Sequence, residues 1–114
     1  LEGAIQDYDE AIRLNPQDTE AYINRGDAKQ NTGDLEGAIL DFSEAIRLNP
    51  QSALVYSTNI RSLLKDKFNR EYAQKDYPKA KETLIRLRLY SSEKEQIQID
   101  KKLDALEKLM QQNK

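Results

Sequence analysis

Apolar side chains recur along this chain in stripes three and four residues apart. Ala38, Ile39, Phe42, Ala45 and Ile46 fall on one face of a helix with a period of about 3.6 residues. Ala21, Tyr22, Ile23, Gly26 and Ala28 supply an inner face to the segment before it, and Ile99, Leu103, Leu106 and Met110 form a stripe near the C-terminus. Helix punctuation stands between the stripes. Asp18 is placed to cap a helix running from about Thr19 to Thr32. Gly33 can take the left-handed closing conformation, and Asp34 can cap the helix that follows. Asn49-Pro50 ends that helix, because the residue before proline is pushed out of helical geometry. The pattern predicts an all-helical chain of short antiparallel helices.

The same pattern occurs twice almost verbatim. Leu1-Glu2-Gly3-Ala4-Ile5 returns as Leu35-Glu36-Gly37-Ala38-Ile39, and Glu10-Ala11-Ile12-Arg13-Leu14-Asn15-Pro16 as Glu44-Ala45-Ile46-Arg47-Leu48-Asn49-Pro50. The offset is 34 residues with 13 of 16 positions identical, a true internal repeat. Ala53 opens a third unit, with Tyr56 in the place of Tyr22. Its second helix restarts at Asp76-Tyr77-Pro78-Lys79-Ala80, which mimics Asp34-Leu35-Glu36-Gly37-Ala38 but lies 42 residues downstream. Two extra helical turns absorb the excess of eight residues and predict one long helix from about Ala53 to Gln74. Pro78 then falls in a first helical turn, where proline is tolerated. Ser92 and Glu95 form a capping box ahead of a last helix over 93–112.

The unit Thr19 to Ser52 resembles a tetratricopeptide repeat. Tyr22, Gly26, Ala38, Phe42, Ala45 and Pro50 stand at that family's spacings, whereas Arg25 replaces its usual leucine and Lys29 its usual aromatic. In the third unit Ile60 occupies the family's glycine position. The resemblance implies antiparallel helix-pair repeats stacked as an α-solenoid in one structural domain. Residues 1–16 would be the second helix of a truncated repeat, 17–52 a complete repeat, 53–92 an elongated one and 93–114 a C-terminal capping helix. It also implies a concave groove lined by the first helices of successive repeats. Carried over by position, that groove presents Glu20, Ile23, Asn24, Asp27 and Asn31, followed by Leu54, Thr58, Arg61 and Lys65. Side-chain amides there can bond an extended peptide backbone while charges choose its sequence. The alternative is that these are ordinary exposed helix positions. One subfamily clamps the C-terminal carboxylate of heat-shock chaperones. Asn24 falls on its asparagine position, but Leu54 and Thr58 replace its lysine and arginine, so that clamp is not expected here.

Composition narrows the chemistry. The chain has no cysteine and no histidine, which removes disulfides, thiolate nucleophiles, the usual general base and the common zinc ligands. No Walker loop, nucleotide fingerprint or triad is present, and the acidic pairs Glu36 with Glu44 and Asp7 with Asp9 sit in no glycine-containing calcium loop. No enzyme, cofactor or metal site is therefore expected. No apolar run approaches the roughly 18 residues of a membrane span. The first residue is Leu1 and not Met, so upstream sequence is expected.

The net charge of −2 is unevenly distributed: residues 1–52 carry 11 acids against 4 bases, and residues 53–114 carry 9 against 14. The second half clusters Arg61, Lys65, Lys67, Arg70, Lys75, Lys79, Lys81, Arg86 and Arg88. Nucleic acid is not the expected partner, because the pI is about 5.2 and the interleaved rings Phe68, Tyr72, Tyr77 and Tyr90 fall where packing needs them. The chain is expected to be a scaffold that binds a protein or peptide partner. The alternative is a homo-oligomerisation module, in which the partly uncovered Ala4, Ile5, Tyr8 and Ile12 meet Val55, Ile60, Leu63, Leu64 and Phe68 of a second copy.

Overall fold

The structure is a computed structural model that describes residues 2–112. Leu1, Asn113 and Lys114, the outermost residues of the expected first and last segments, lie outside the described residues. The elements are α1 (Glu2–Leu14), α2 (Thr19–Asn31), α3 (Leu35–Leu48), a 3-10 turn (Pro50–Ser52), α4 (Ala53–Ala73), α5 (Tyr77–Arg88) and α6 (Glu93–Gln112). The fold is all-α, built from helix pairs, as the periodicity predicts. Contacts divide the chain into two compact units, residues 1–60 and 61–114, and the single helix α4 runs through the division.

In the first unit α2 packs against both α1 and α3. Asp18 caps α2 by accepting from the Ala21 amide at 3.2 Å, and Asp34 caps α3 by accepting from the Gly37 amide at 2.9 Å. Gly33 between them has φ of 85°, the left-handed geometry its lack of Cβ allows. The α2–α3 approach is close because Gly26 has no side chain. A Cβ there would lie 2.9 Å from Cε1 of Phe42. Ala38, Ile39, Phe42 and Ala45 are fully buried on the α3 face. Each large apolar side chain so buried stabilises the unit by about 1.5–3 kcal/mol. Phe42 also stacks on Tyr56 from the start of α4, at 5.4 Å between ring centroids and 12° between planes. The 3-10 turn after Asn49 is not foreseen by the apolar pattern. It forms because the Asn49 side chain accepts from the Gln51 amide once Pro50 has ended α3.

The second unit repeats this helix-turn-helix 42 residues later. Asp76 N–H donates to the Glu71 carbonyl at 2.9 Å, as Asp34 does to Lys29 at 2.9 Å. Lys75, in the place of Gly33, has φ of 60°, and Asp76 caps α5 as Asp34 caps α3. Pro78 lies in the first turn of α5. Ala80, Leu84 and Leu87 of α5 are buried, as are Leu63 and Leu64 of α4. The eight added residues thus lie wholly within α4. Ser92 and Glu95 form the reciprocal capping box of α6, each backbone amide donating to the other's side chain at 3.3 Å. The α6 helix packs on α5 and buries Ile99 and Leu106, with Leu103 and Met110 half-buried.

Candidate functional site

Five of the expected groove positions, Glu20, Ile23, Asn24, Asp27 and Asn31, recur at helical spacing and share one side of α2. Ile23 is half-buried; the other four are exposed. No hydrogen bond or ion pair engages the side chains of Glu20, Asn24, Asp27 or Asn31 among the described residues.

Other polar residues of α2 are fully engaged. Asp41 of α3 is only 3% exposed. Arg25 grips it with a two-pronged fork, Nε to Oδ2 at 2.9 Å and Nη2 to Oδ1 at 2.7 Å. The third guanidinium nitrogen reaches Asp9 of α1 at 2.8 Å, and Lys29 Nζ lies 3.3 Å from Asp41. The Arg25 guanidinium is held charged well beyond its ordinary range, first by its hydrogen bonds to Asp41 and then by Asp9, against the cost of burial. Arg25 and Lys29 are the two positions at which the sequence departs from the family's apolar residues. Their charges are met by Asp41 and, for Arg25, also by Asp9, and the sequence alone does not reveal the significance of Asp41. The only signal for Asp41 is its place one turn after Gly37, facing two misplaced cations.

The second unit holds a polar cluster at the equivalent place with the charges rearranged. Lys67, Glu71 and Thr83 follow Arg25, Lys29 and Asp41 by 42 residues. Lys67 Nζ donates to Glu71 at 2.5 Å, and the Thr83 hydroxyl donates to the other Glu71 oxygen at 2.5 Å. Glu71 and Thr83 are 7% and 1% exposed. The carboxylate has moved from the second helix of the pair to the first. Both clusters satisfy buried polar groups.

The remaining expected positions lie on α4. In the first unit Leu54 is 89% exposed and Thr58 is exposed. In the second unit Arg61 is half-buried and ion-paired with Glu95 of α6 at 3.2 Å, so it is not the free cation the spacing suggests. Glu95 is held below its ordinary value of 4.5, first by hydrogen bonds from Ser92 and then by Arg61 and Lys65. Lys65 is exposed and borders a cleft of about 310 Å³ with a floor of Phe68, Leu84, Leu87 and Ile99 and with Lys102 on its other side. The sequence did not pick out this cleft, because the side chains that line it come from three separate helices, α4, α5 and α6.

Two expectations about surfaces need correction. Ile60, Leu63 and Leu64 are at most 2% exposed, so they belong to the core and cannot present a complementary surface to a second copy. Tyr72, expected to be packed away, is 45% exposed in a row of rings, 5.8 Å from Phe68 and 5.6 Å from Tyr77. It reaches the surface because Glu71, beside it on the helix, takes the inward direction to meet Thr83. Among the described residues, no helix is long and apolar enough to cross a membrane.

Comparison with protein families gives two overlapping matches. The family described as TPR repeat matches residues 1–33, and the family described as Tetratricopeptide repeat matches residues 19–52. Comparison with curated proteins finds no match. The second match spans the whole α2–α3 pair, including the Gly26–Phe42 approach and the Asn49-Pro50 stop. Repeats of this kind are in general protein–protein interaction modules and typically non-enzymatic. With their helix pairs and with family matches that together cover them, residues 1–52 of this chain are tetratricopeptide repeats.

Proposed function

We propose that the chain is a scaffold that holds a peptide segment or partner domain, using the exposed side of α2 with its Glu20, Asn24, Asp27 and Asn31. The observation that supports this reading is a contrast within one helix. Arg25 and Lys29 are committed to Asp41 inside the unit, while four polar side chains on the other side have no intramolecular partner among the described residues. Two amides and two carboxylates in a row can bond an extended backbone and favour a segment carrying lysine or arginine. Ile23, half-buried among them, adds an apolar contact. Leu54 and Thr58 of α4 are the further contact positions in the first unit, and Arg61 and Lys65 are contact positions proposed for the second unit by itself.

The test is selection of peptides from a displayed random library on the full chain, followed by amide chemical-shift mapping. Selected peptides should perturb residues 20–31, and the double change Asn24→Ala, Asp27→Lys should weaken them about tenfold, or 1.4 kcal/mol. Selected peptides that leave α2 unperturbed would remove the proposal.

A second reading, self-association, is favoured by one observation. Ala4, Ile5 and Tyr8 of α1 are only half-buried, whereas the equivalent Ala38, Ile39 and Phe42 of α3 are fully buried. A second copy covering α1 would complete that burial. Light scattering that returned the monomer mass at high concentration would dismiss it.

A further inference from the structure

The 42-residue correspondence between the units breaks at one functionally suggestive place. In the first unit the Phe42–Tyr56 stack fills the space between α3 and the start of α4. The equivalent positions in the second unit are Leu84 on α5 and Gln98 on α6, a branched chain and an exposed amide in place of two rings. Phe68 stands where Gly26 stands in the first unit. Leu84, Gln98 and Phe68 all line the 310 Å³ cleft. Ligand pockets run from about 300 to 1,000 Å³, so this one lies at the small end of the range and has room for a single bulky side chain.

The charges around the cleft indicate what would carry that side chain. Lys65 comes from α4 and Lys102 from α6, with the Lys102 ammonium 5.9 Å from the centroid of the Phe68 ring. Neither lysine makes an ion pair among the described residues. The one carboxylate lining the cleft, Glu95, is engaged by Ser92 and Arg61 and, at longer range, by Lys65. An apolar floor between two lysines, with Glu95 the one carboxylate beside them, favours an aromatic side chain whose neighbours are acidic. The aromatic packs on Phe68, Leu84 and Ile99, and the carboxylates flanking it meet the lysines.

We infer that the α4–α5–α6 cleft seats an aromatic side chain of an acidic peptide segment from a partner protein, with Lys65 and Lys102 holding the flanking carboxylates. The inference rests on the peptide-binding reading above and adds to it a second contact point and a ligand chemistry.

The test titrates a fluorescein-labelled Asp-Glu-Phe-Glu-Asp peptide into the full chain, read by anisotropy and by amide shifts. Saturable binding with shifts at Phe68, Leu87 and Ile99 is expected. Affinity should fall about tenfold or more when the peptide's Phe becomes Ala, and similarly with the double change Lys65→Glu, Lys102→Glu. Gln98→Tyr should also abolish binding, because it restores a ring in the place of Tyr56 and fills the cleft from within. Circular dichroism of each variant checks that the helices persist. If Gln98→Tyr unfolds the chain, the lysine pair and the peptide's own Phe→Ala change carry the test.

Equal affinity for the Phe and Ala peptides would overturn the cleft, leaving only diffuse charge attraction. Equal affinity for a Lys-Lys-Phe-Lys-Lys peptide, or no binding by any of these peptides, would overturn it as well. A doubling of mass that Gln98→Tyr removes would also overturn it, making a second copy the occupant. If these peptides fail while library peptides still perturb α2, the cleft alone falls. If both fail, the peptide-binding reading falls with it.

Discussion

Arg25 and Asp41 lie sixteen residues apart in sequence and meet as a two-pronged ion pair, 2.9 and 2.7 Å between atoms, with the aspartate 3% exposed. The pair stands between the two helices of the complete repeat, where an apolar contact is the family's usual solution. A buried pair of this kind does not by itself add much stability, because desolvating two charges offsets most of their attraction. Breaking it is another matter. Asp41→Ala leaves Lys29 without an anion and Arg25 with Asp9 alone, and should cost about 3 kcal/mol in urea denaturation. The triple change Arg25→Leu, Lys29→Tyr, Asp41→Leu should be neutral or stabilising by comparison. A loss of under about 1 kcal/mol for Asp41→Ala would mean that water relieves the stranded cations and that the network is incidental.

Gly26→Ala pits two effects of opposite sign against each other. Alanine is the better helix former by about 1 kcal/mol. However, its Cβ would lie 2.9 Å from Cε1 of Phe42, and that ring is pinned by complete burial and by its stack on Tyr56. Overpacking of about 1–3 kcal/mol outweighs the propensity gain, so the melting temperature should fall. Phe42→Leu in the same chain should recover part of the loss by removing the clash. A Gly26→Ala variant that melts higher than its parent would show that α2 and α3 separate easily.

The two equivalent turns should respond oppositely to the same kind of change. Gly33 and Lys75 both close a helix in the left-handed region, at φ of 85° and 60°. Nothing stands within 4 Å of a Cβ built on Gly33, so Gly33→Ala should cost about 1 kcal/mol through backbone strain alone. Lys75→Gly relieves the same strain and should stabilise the chain by roughly 0.5–1 kcal/mol. Thermal melts of the two variants, displaced in opposite directions from the parent, would confirm that the turns are equivalent.

Stability should be flat near neutral pH and decline only in acid. The chain has no histidine or cysteine to titrate between about pH 5 and 8. Glu10, Glu44 and Glu95 are each held below their ordinary 4.5, by Arg13, by Arg47 and by Ser92 with Arg61 respectively. A depressed carboxylate contributes stability that is fully present above its unfolded value and lost as pH falls through its lower folded value. The decline should therefore begin below about pH 4.5, and Glu95→Gln should make it shallower. Because these groups are at least partly exposed, added salt should shrink the effect. A stability maximum below pH 4 would contradict the assignment.

The sequence by itself determined the helices and their ends. Period, cap and stop signals are local: Asp18, Gly33, Asp34 and Ser92 each act within three or four residues, so the chain's own order contains them. The 34-residue copy and its 42-residue echo also fixed the helix-pair family and located the eight-residue excess inside one helix. What only the tertiary structure decided is which polar residues are buried and which surfaces remain open. Arg25 and Lys29 look like solvent-facing charges until Asp41 is brought against them from the next helix. Arg61 looks like a free groove cation until α6 delivers Glu95. The cleft over Phe68 exists because Leu84 and Gln98, fourteen residues apart in sequence, stand where two rings stack in the first unit. Such arrangements depend on side chains from separate helices meeting in space, and a period read along one helix carries no information about what the next helix places opposite it.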